Sequence, residues 1–518
     1  MYEQNRQKRE LDRDLFQTPT AEYRGTPFWA WNCDLEEKEL LRQIDVFKEM
    51  GFGGFHMHVR TGMSTPYLSE DFFKLVKACT KHAKEKNMLA WLYDEDRWPS
   101  GAAGGFVTKD KAYRQRTVVF SCNPNYKTSE DTEILARFEV CLDENKQLAS
   151  YKRLKEAEMP QTGVLWTCYR EIAKNDSWYN NQAYLDTLNP KAVEKFVSVT
   201  HEAYKKAVGE EFGKTIPAIF TDEPQVARKK TLAFADSKQD VSLPWTDDLE
   251  QTFFAEYQSS LIDHLPELLW DLPQGEVSTV RYRYHDHLSE RFAAAFADTC
   301  GAWCKKNGIL FTGHMMEEPT LHSQTAALGE AMRSYRSFDI PGIDMLCANF
   351  ELTTAKQAQS AKHQYGRAAM MSELYGVTGW DFDFRGHKLH GDWQAALGVT
   401  VRVPHLSWVS MKGNAKRDYP ASISYQSSWY KKYAYVEDHF ARLNTALTRG
   451  KATVRVGVMH PIESYWLHFG PGEQTALKRQ TLDEHFKDVT HCLLYGAIDF
   501  DDISESLLPS RCDKGGAP

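Results

Sequence analysis

The 518-residue chain has no apolar run near the ~20 residues that a membrane-crossing helix needs, so no membrane contact is expected. Its opening, MYEQNRQKRELDRDLF, holds no apolar stretch of the secretory type, and the expected location is the cytoplasm. Basic residues are not in excess. The 63 Lys and Arg stand against 71 Asp and Glu, a formal charge of −8, which argues against a nucleic-acid partner. The ten cysteines, from Cys33 to Cys512, are scattered without a CxxC pair. Cys300 and Cys304 are four apart on an expected helix but lack further ligands, so they read as core thiols, free in a reducing compartment. No GxGxxG follows a strand, no Walker-type loop occurs, and GAAGG at Gly101–Gly105 has no Lys-Ser/Thr after it. No GxSxG elbow, internal repeat or low-complexity tract is present. Nucleotide chemistry and serine hydrolysis are therefore disfavoured.

The composition is otherwise that of a globular protein, 42% hydrophobic and 26% charged. Aromatic residues reach 13%, with 14 Trp and 24 Tyr. Such rings serve a large core, and their flat faces also suit sugars. Along the chain, short apolar strands end in polar or aromatic residues and are followed by amphipathic helices. Strands are expected at Pro27–Asn32, Gly53–Val59, Leu89–Glu95, Ala218–Glu223, Ile309–Met316, Ile343–Leu346 (the weakest), Ala369–Tyr375 and Val399–Val409. Helices are expected over Leu35–Met50, with Leu40, Leu41, Ile44 and Phe47 on one stripe, and over Phe72–Lys86. A third is expected over Lys191–Val208, capped by Asn189 with Pro190 at its first position. Alternating strands and helices point to a parallel sheet, and polar residues gathered at strand C-termini point to a closed (β/α)8 TIM barrel over residues 25–450. Residues 1–24 precede it. Residues 106–188 alternate as a β-rich insertion after the third strand, and residues 225–308 carry extra helices after the fourth. From residue 451 the pattern is β-α-β, the start of a flavodoxin-like α/β domain. It stops before such a domain could be completed, as an incomplete version of a longer protein would.

The chemistry-bearing residues lie at those strand ends. AIFTDEP runs an apolar strand into Asp222 and Glu223, and MMSELYG places Glu373 and Tyr375 at the end of the seventh strand. A carboxylate at the mouth of a buried strand is costly unless hydrated, paired or used. In a barrel these two mouths face one pocket. Two carboxyls across a sugar-sized gap are what glycoside hydrolysis requires, one protonating the leaving oxygen and one activating water or attacking the anomeric carbon. An ion-paired strand end or a helix cap is the plainer reading of each. WLYDEDRWPSG supplies Asp94, Glu95 and Trp98 as sugar-hydroxyl and sugar-face contacts, or as a solvated loop. His56 and His58 share one side of the second strand, and His314, Glu317 and Glu318 follow the fifth. Trp380 follows the seventh strand and His405 lies in the eighth. Spacing fixes no metal-ligand set.

PFWAWN, GFGGFHMHVR, LYDEDRWPSG, LDTLNPKAVEKF and IFTDEP together resemble glycoside hydrolase family 106, whose characterised members are α-L-rhamnosidases. The resemblance covers roughly residues 25–450. It implies an inverting hydrolase with Glu223 as general acid and Glu373 as base. It also implies a calcium ion near the site, to which Glu317 or Glu318 could contribute. The expected ligand is a small glycoside with a terminal sugar such as α-L-rhamnose, and His56, His58, Asp94, Glu95, Trp98, Asp222, His314, Glu318, Tyr375, Trp380 and His405 are the expected substrate contacts. The alternatives are a β-galactosidase-like barrel enzyme, a sugar-binding barrel without hydrolysis, and a metal-dependent isomerase or lyase using His56, His58 and His314. A homo-oligomer is left open.

Overall fold

The computed structural model describes residues 2–8, 10–413 and 422–508, so Cys512 and the DKGGAP end lie outside the described residues. The strands, in chain order, are β1 (Phe28–Trp31), β2 (Gly54–Val59), β3 (Leu89–Tyr93), β4 (Arg116–Ser121), β5 (Thr132–Leu142), β6 (Leu148–Arg153), β7 (Val164–Ile172) and β8 (Ala218–Asp222). They continue with β9 (Val241–Trp245), β10 (Leu310–His314), β11 (Ile340–Met345), β12 (Met371–Leu374), β13 (Val401–Pro404), β14 (Ser407–Trp408), β15 (Gly457–Met459) and β16 (Asp501–Ile503). Nine of them form one parallel sheet in the order β13-β12-β11-β10-β8-β3-β2-β1-β14. The two ends of that order are consecutive in the chain, so the sheet curls into a (β/α)8 barrel. The expected eighth strand is in fact two pieces, with β13 paired to β12 and β14 paired to β1. The break at His405 and Leu406 lets one segment serve both neighbours of the closing seam.

The strands form where the sequence is apolar on both faces, as a parallel sheet covered by helices demands. Phe28, Trp91, Phe220, Met371 and Val403 fill the barrel interior, and Tyr2 of the helix Tyr2–Gln7 joins them with its ring 6.5 Å from that of Trp91. Outside, the helix Glu37–Glu49 buries Leu40, Ile44 and Phe47. Ser69 caps the helix Glu70–Glu85, accepting the Phe72 N–H at 3.2 Å. Asn189 accepts the Lys191 N–H at 3.0 Å and Pro190 opens that helix, as expected. The run then divides into helices Pro190–Val199 and His201–Val208, where the Thr200 hydroxyl donates back to the Phe196 carbonyl at 3.0 Å.

The β-rich insertion is a five-stranded antiparallel sheet, β6-β5-β7-β4-β9. Its last strand comes from the stretch after β8, for which helices alone were expected. Pro244 within β9 hid it, since proline demotes a strand reading, and β9 tolerates that proline because it is an edge strand paired only to β4. The C-terminal part is a parallel pair, β15 and β16, joined through the helices Ile462–Leu467 and Gly472–Tyr495. Trp466, Phe469 and Phe486 seat it against Leu321 of the barrel. Among the described residues no helix is long and apolar enough to cross a membrane, and no described cysteine forms a disulfide.

The closing seam is held by a buried ion pair. Arg402 on β13 donates to both Glu437 carboxylate oxygens at 2.8 and 2.7 Å, and Glu437 also accepts the Gly25 N–H at 2.7 Å. Removing one partner strands a charge without solvent. Glu437→Ala is expected to lower unfolding free energy by about 3–5 kcal/mol, read as a lower urea midpoint at unchanged slope. A midpoint shift within the error of the wild-type titration would contradict this account of the seam.

Candidate active site

The C-terminal ends of the barrel strands surround a cavity of about 860 Å³. Strand β8 ends in Asp222, and Glu223 follows with a left-handed backbone, φ 47°. That conformation costs a non-glycine residue about 1–2 kcal/mol. Both residues line the cavity, and Asp222 is the more deeply buried of the two. Asp222 accepts the Tyr93 hydroxyl at 2.6 Å from β3, and its backbone N–H donates to the Ser100 hydroxyl at 2.8 Å. His314, at the end of β10, stands between two strand ends. Its Nε2 is 3.2 Å from Asp222 Oδ1 and 3.1 Å from Glu373 Oε2 on β12. His58 Nε2 approaches Asp222 at 3.8 Å, and His405 Nε2 approaches Glu373 at 3.6 Å.

These contacts sort the charges. Burial alone would lower the basicity of His314, but the flanking Asp222 and Glu373 outweigh it and hold the ring cationic well above the ordinary range. Burial would raise Asp222, yet His314 and His58 pull it far below the usual carboxylate range. Glu223 is pushed up to about 8, first by burial and then by the Asp222 charge. Glu373 is raised by burial, with His314 opposing. Glu318, pushed up to about 7 by burial, accepts the Met315 N–H at 3.1 Å.

Of the expected contacts, Trp98, Asp222, Glu223, Glu318, Glu373 and His405 line the cavity together. His58 and His314 lie directly beneath, against Asp222. Five others do not line this cavity. His56 is in the barrel interior, its Nδ1 3.0 Å from the Thr26 carbonyl and its ring 4.9 Å from Trp91. Asp94 is buried and accepts the Ser100 hydroxyl at 2.5 Å. Glu95 is buried as a loop anchor, accepting the N–H groups of Asp96, Gly101, Ala103 and Gly104 at 2.6–2.9 Å. Gly101 and Gly104 supply the positive φ, 141° and 61°, that this wrapping needs. Tyr375 donates to the His387 carbonyl at 3.0 Å, and Trp380 is half exposed beside Trp408.

Sequence reasoning missed Asp344, which belongs to the weakest of the expected strands and pairs in register with Glu373. It also missed Trp178 and Tyr179 of the insertion, which join Trp98 at the cavity rim. The Trp98 and Trp178 rings meet edge to face at 5.3 Å. Trp178 sits in the polar run NDSWYNNQ, where a large ring with no apolar neighbours was the available signal.

Glu317 and Glu318, the residues expected near the calcium that the family resemblance implies, both line the cavity. Calcium takes about six to eight oxygens, whereas Glu317 is paired with Arg228 and Glu318 already accepts a backbone N–H. Ligand atoms do converge in two groups, Asp222–His314–Glu373 and Glu223–His314–Asp344, each within 4.8 Å. Both share His314, which lies 3.2 Å from Asp222 and 3.1 Å from Glu373.

The fold is similar to a rhamnosidase from Novosphingobium sp. PP1Y (14% identity, TM-score 0.62, covering 86% of this chain and 61% of that one). It is also similar to a beta-galactosidase from Bacillus circulans sp. alkalophilus (12% identity, TM-score 0.56, 94% and 66%) and to one from Marinomonas ef1 (8% identity, TM-score 0.54, 92% and 70%). At these identities the likeness is one of fold. The chain spans about six-tenths to two-thirds of the length of the first two. No protein-family model matches the chain, and no curated protein matches it.

The charge on His314 is testable. A raised folded value means that its stabilising contribution is complete below the unfolded value of about 6.5 and is lost as pH rises through the folded one. Nitrogen-15 NMR of labelled histidine is expected to show one imidazolium still protonated at pH 8, absent in His314→Gln. A spectrum with only neutral rings at that pH would overturn the assignment.

Proposed function

We propose that this chain is a barrel glycoside hydrolase that removes a terminal sugar from a small glycoside, with Glu223 as general acid and Glu373 as its partner carboxylate. The observation that carries the reading is the placement of both glutamates on one cavity at the strand ends, in unlike electrostatic settings. Glu223 keeps its proton to about pH 8 and points into the open space, as a donor to a leaving oxygen must. Glu373 lies against the His314 cation, which favours its ionised form. Its role is then to draw a proton from water or to meet the anomeric carbon. The sugar we propose is α-L-rhamnose, with inversion at the anomeric carbon. The motif resemblance supports both, and likeness of fold to a rhamnosidase is consistent with them. Trp98 and Trp178 at the rim suit the flat face of the leaving group.

A β-galactosidase-like substrate is the second reading, favoured by fold likeness to two enzymes of that name. The metal-dependent isomerase or lyase loses support because His56, one of its three histidines, is held inside the barrel on Thr26.

A panel of 4-nitrophenyl glycosides decides between the sugars and against a barrel that only binds them. Glu223→Gln and Glu373→Gln are each expected to lower kcat by about 10³-fold or more while the far-UV spectrum stays native. Full activity in either variant removes that residue from its role. The rate should also fall as pH rises through about 8, because the acid must be protonated. A profile flat to pH 10 would exclude Glu223 as the donor.

A further inference from the structure

The cavity has two unlike walls. In the order of the barrel, β10 and β11 separate Glu373 on β12 from Glu223 after β8. On the other side of β8 comes β3, whose following loop carries Trp98 and leads into the five-stranded insertion. That side is lined by uncharged polar groups: Gln115 just ahead of β4, Ser242 in β9, and Gln225, two residues beyond Glu223. The charged side chains there are engaged or exposed. Asp176 accepts the Trp178 N–H at 2.8 Å, Arg228 pairs with Glu317, and Lys230 is exposed.

The sequence places these groups with little freedom. Ser242 lies opposite Val119 in the insertion sheet, and Gln115 is four residues before Val119, so both belong to one face of that sheet. Tyr184 holds both glutamines. Its carbonyl accepts the Gln115 N–H at 2.9 Å, and its hydroxyl accepts the Gln225 N–H at 3.4 Å. The two residues are 8% and 5% exposed. In each, the enclosed atom without a partner is the amide nitrogen, which leaves the carboxamide oxygen as the end toward the cavity. Carboxamides and a hydroxyl hydrogen-bond hydroxyl groups, and the aromatic rim offers flat faces to a ring's C–H groups. A phenolic leaving group would cover the carboxamides with apolar carbon. Polar groups left unmatched in this way select against a ligand that lacks hydroxyls. The cavity volume of about 860 Å³ is near the upper end of the roughly 300–1,000 Å³ of pockets for drug-sized ligands, which leaves room beyond one sugar ring.

We propose that the insertion builds the leaving-group side of the cavity, where Gln115, Gln225 and Ser242 hydrogen-bond the hydroxyls of a second sugar, so that the substrates are disaccharides rather than aryl glycosides. The inference rests on the hydrolase reading, in which Glu223 protonates the departing oxygen and Glu373 acts on the sugar beyond it. It gives the β-rich insertion a part in substrate choice.

The test compares leaving groups. Wild type, Gln115→Leu and Ser242→Ala are assayed on 4-nitrophenyl α-L-rhamnopyranoside and β-D-galactopyranoside, and on the same two sugars joined to the 2-, 3-, 4- or 6-position of glucose, with folding checked by far-UV dichroism. The activated nitrophenolate departs without such contacts and serves as the reference. Wild type is expected to hydrolyse at least one disaccharide. Each variant should lower the ratio of kcat/KM on that disaccharide to kcat/KM on the matching aryl glycoside by about 3–10-fold. An unchanged ratio, as a purely structural role would give, overturns the proposal. So does a wild type that cleaves an aryl glycoside but no disaccharide, and the hydrolase reading then stands. If wild type cleaves neither, the hydrolase reading falls separately, and calorimetry with the disaccharides, L-rhamnose and D-galactose decides on the wall. Binding of a disaccharide weakened in Gln115→Leu more than that of the single sugar supports it, whereas equal weakening or no binding overturns it.

Discussion

His314 placed between Asp222 and Glu373 is the contact on which the cavity floor depends. At 3.1–3.2 Å from each carboxylate, a cation is attracted by roughly 5 kcal/mol per pair at an effective dielectric near 20. Burying each ion costs several kcal/mol. The terms are of similar size, so no one member of the three is stable there without the others. The arrangement also crosses the barrel, joining the ends of β8, β10 and β12. It fixes where two strand mouths stand relative to each other more firmly than the short backbone pairing at those ends does.

A second layer of buried acids holds the loops rather than a ligand. Glu95 gathers four backbone N–H groups of the loop after β3, and Asp94 takes the Ser100 hydroxyl, which in turn accepts the Asp222 N–H. Through Ser100 the loop that carries Trp98 is registered against the end of β8. The insertion reaches the same place, where Asn180 donates to the Trp98 carbonyl at 3.3 Å. The aromatic rim is therefore tied to the acidic floor by hydrogen bonds, and its position follows from carboxylates that never meet solvent.

The barrel was legible because each strand is an apolar run with a polar end, and the period survives without an alignment. The exceptions have local causes. β9 carries Pro244, and β13 and β14 are one apolar run that the closing seam divides. For the site, the expectation of polar residues at strand ends located Asp222, Glu223, Glu373 and His405 on the cavity. It failed for Asp344, whose strand reads as the weakest of the eight apolar runs. It over-reached at Asp94 and Glu95, since a carboxylate after a strand is equally well used on backbone N–H groups, and the glycines that make this possible are a signal only once the loop is seen to wrap. His56 and His58 alternate on one face, but β2 runs from the barrel interior to its mouth, and two residues along a strand separate a core ring from one that touches Asp222.

The unlike electrostatic settings of the two glutamates follow from their neighbours rather than from their own type. Both have a carboxylate oxygen near His314, Glu373 at 3.1 Å and Glu223 within 4.8 Å. Glu373 contacts the ring nitrogen, whereas at Glu223, which follows Asp222 with a left-handed backbone, the adjacent Asp222 charge acts against the His314 attraction. Attraction therefore reaches Glu373 through a direct contact, and repulsion reaches Glu223 through the adjacent residue. A right-handed or extended residue at 223 would direct its side chain elsewhere, away from the cavity and from the surroundings that raise its proton affinity. The left-handed backbone at Glu223, a cost of about 1–2 kcal/mol, thus goes with a carboxyl that lines the cavity and feels Asp222 more strongly than His314.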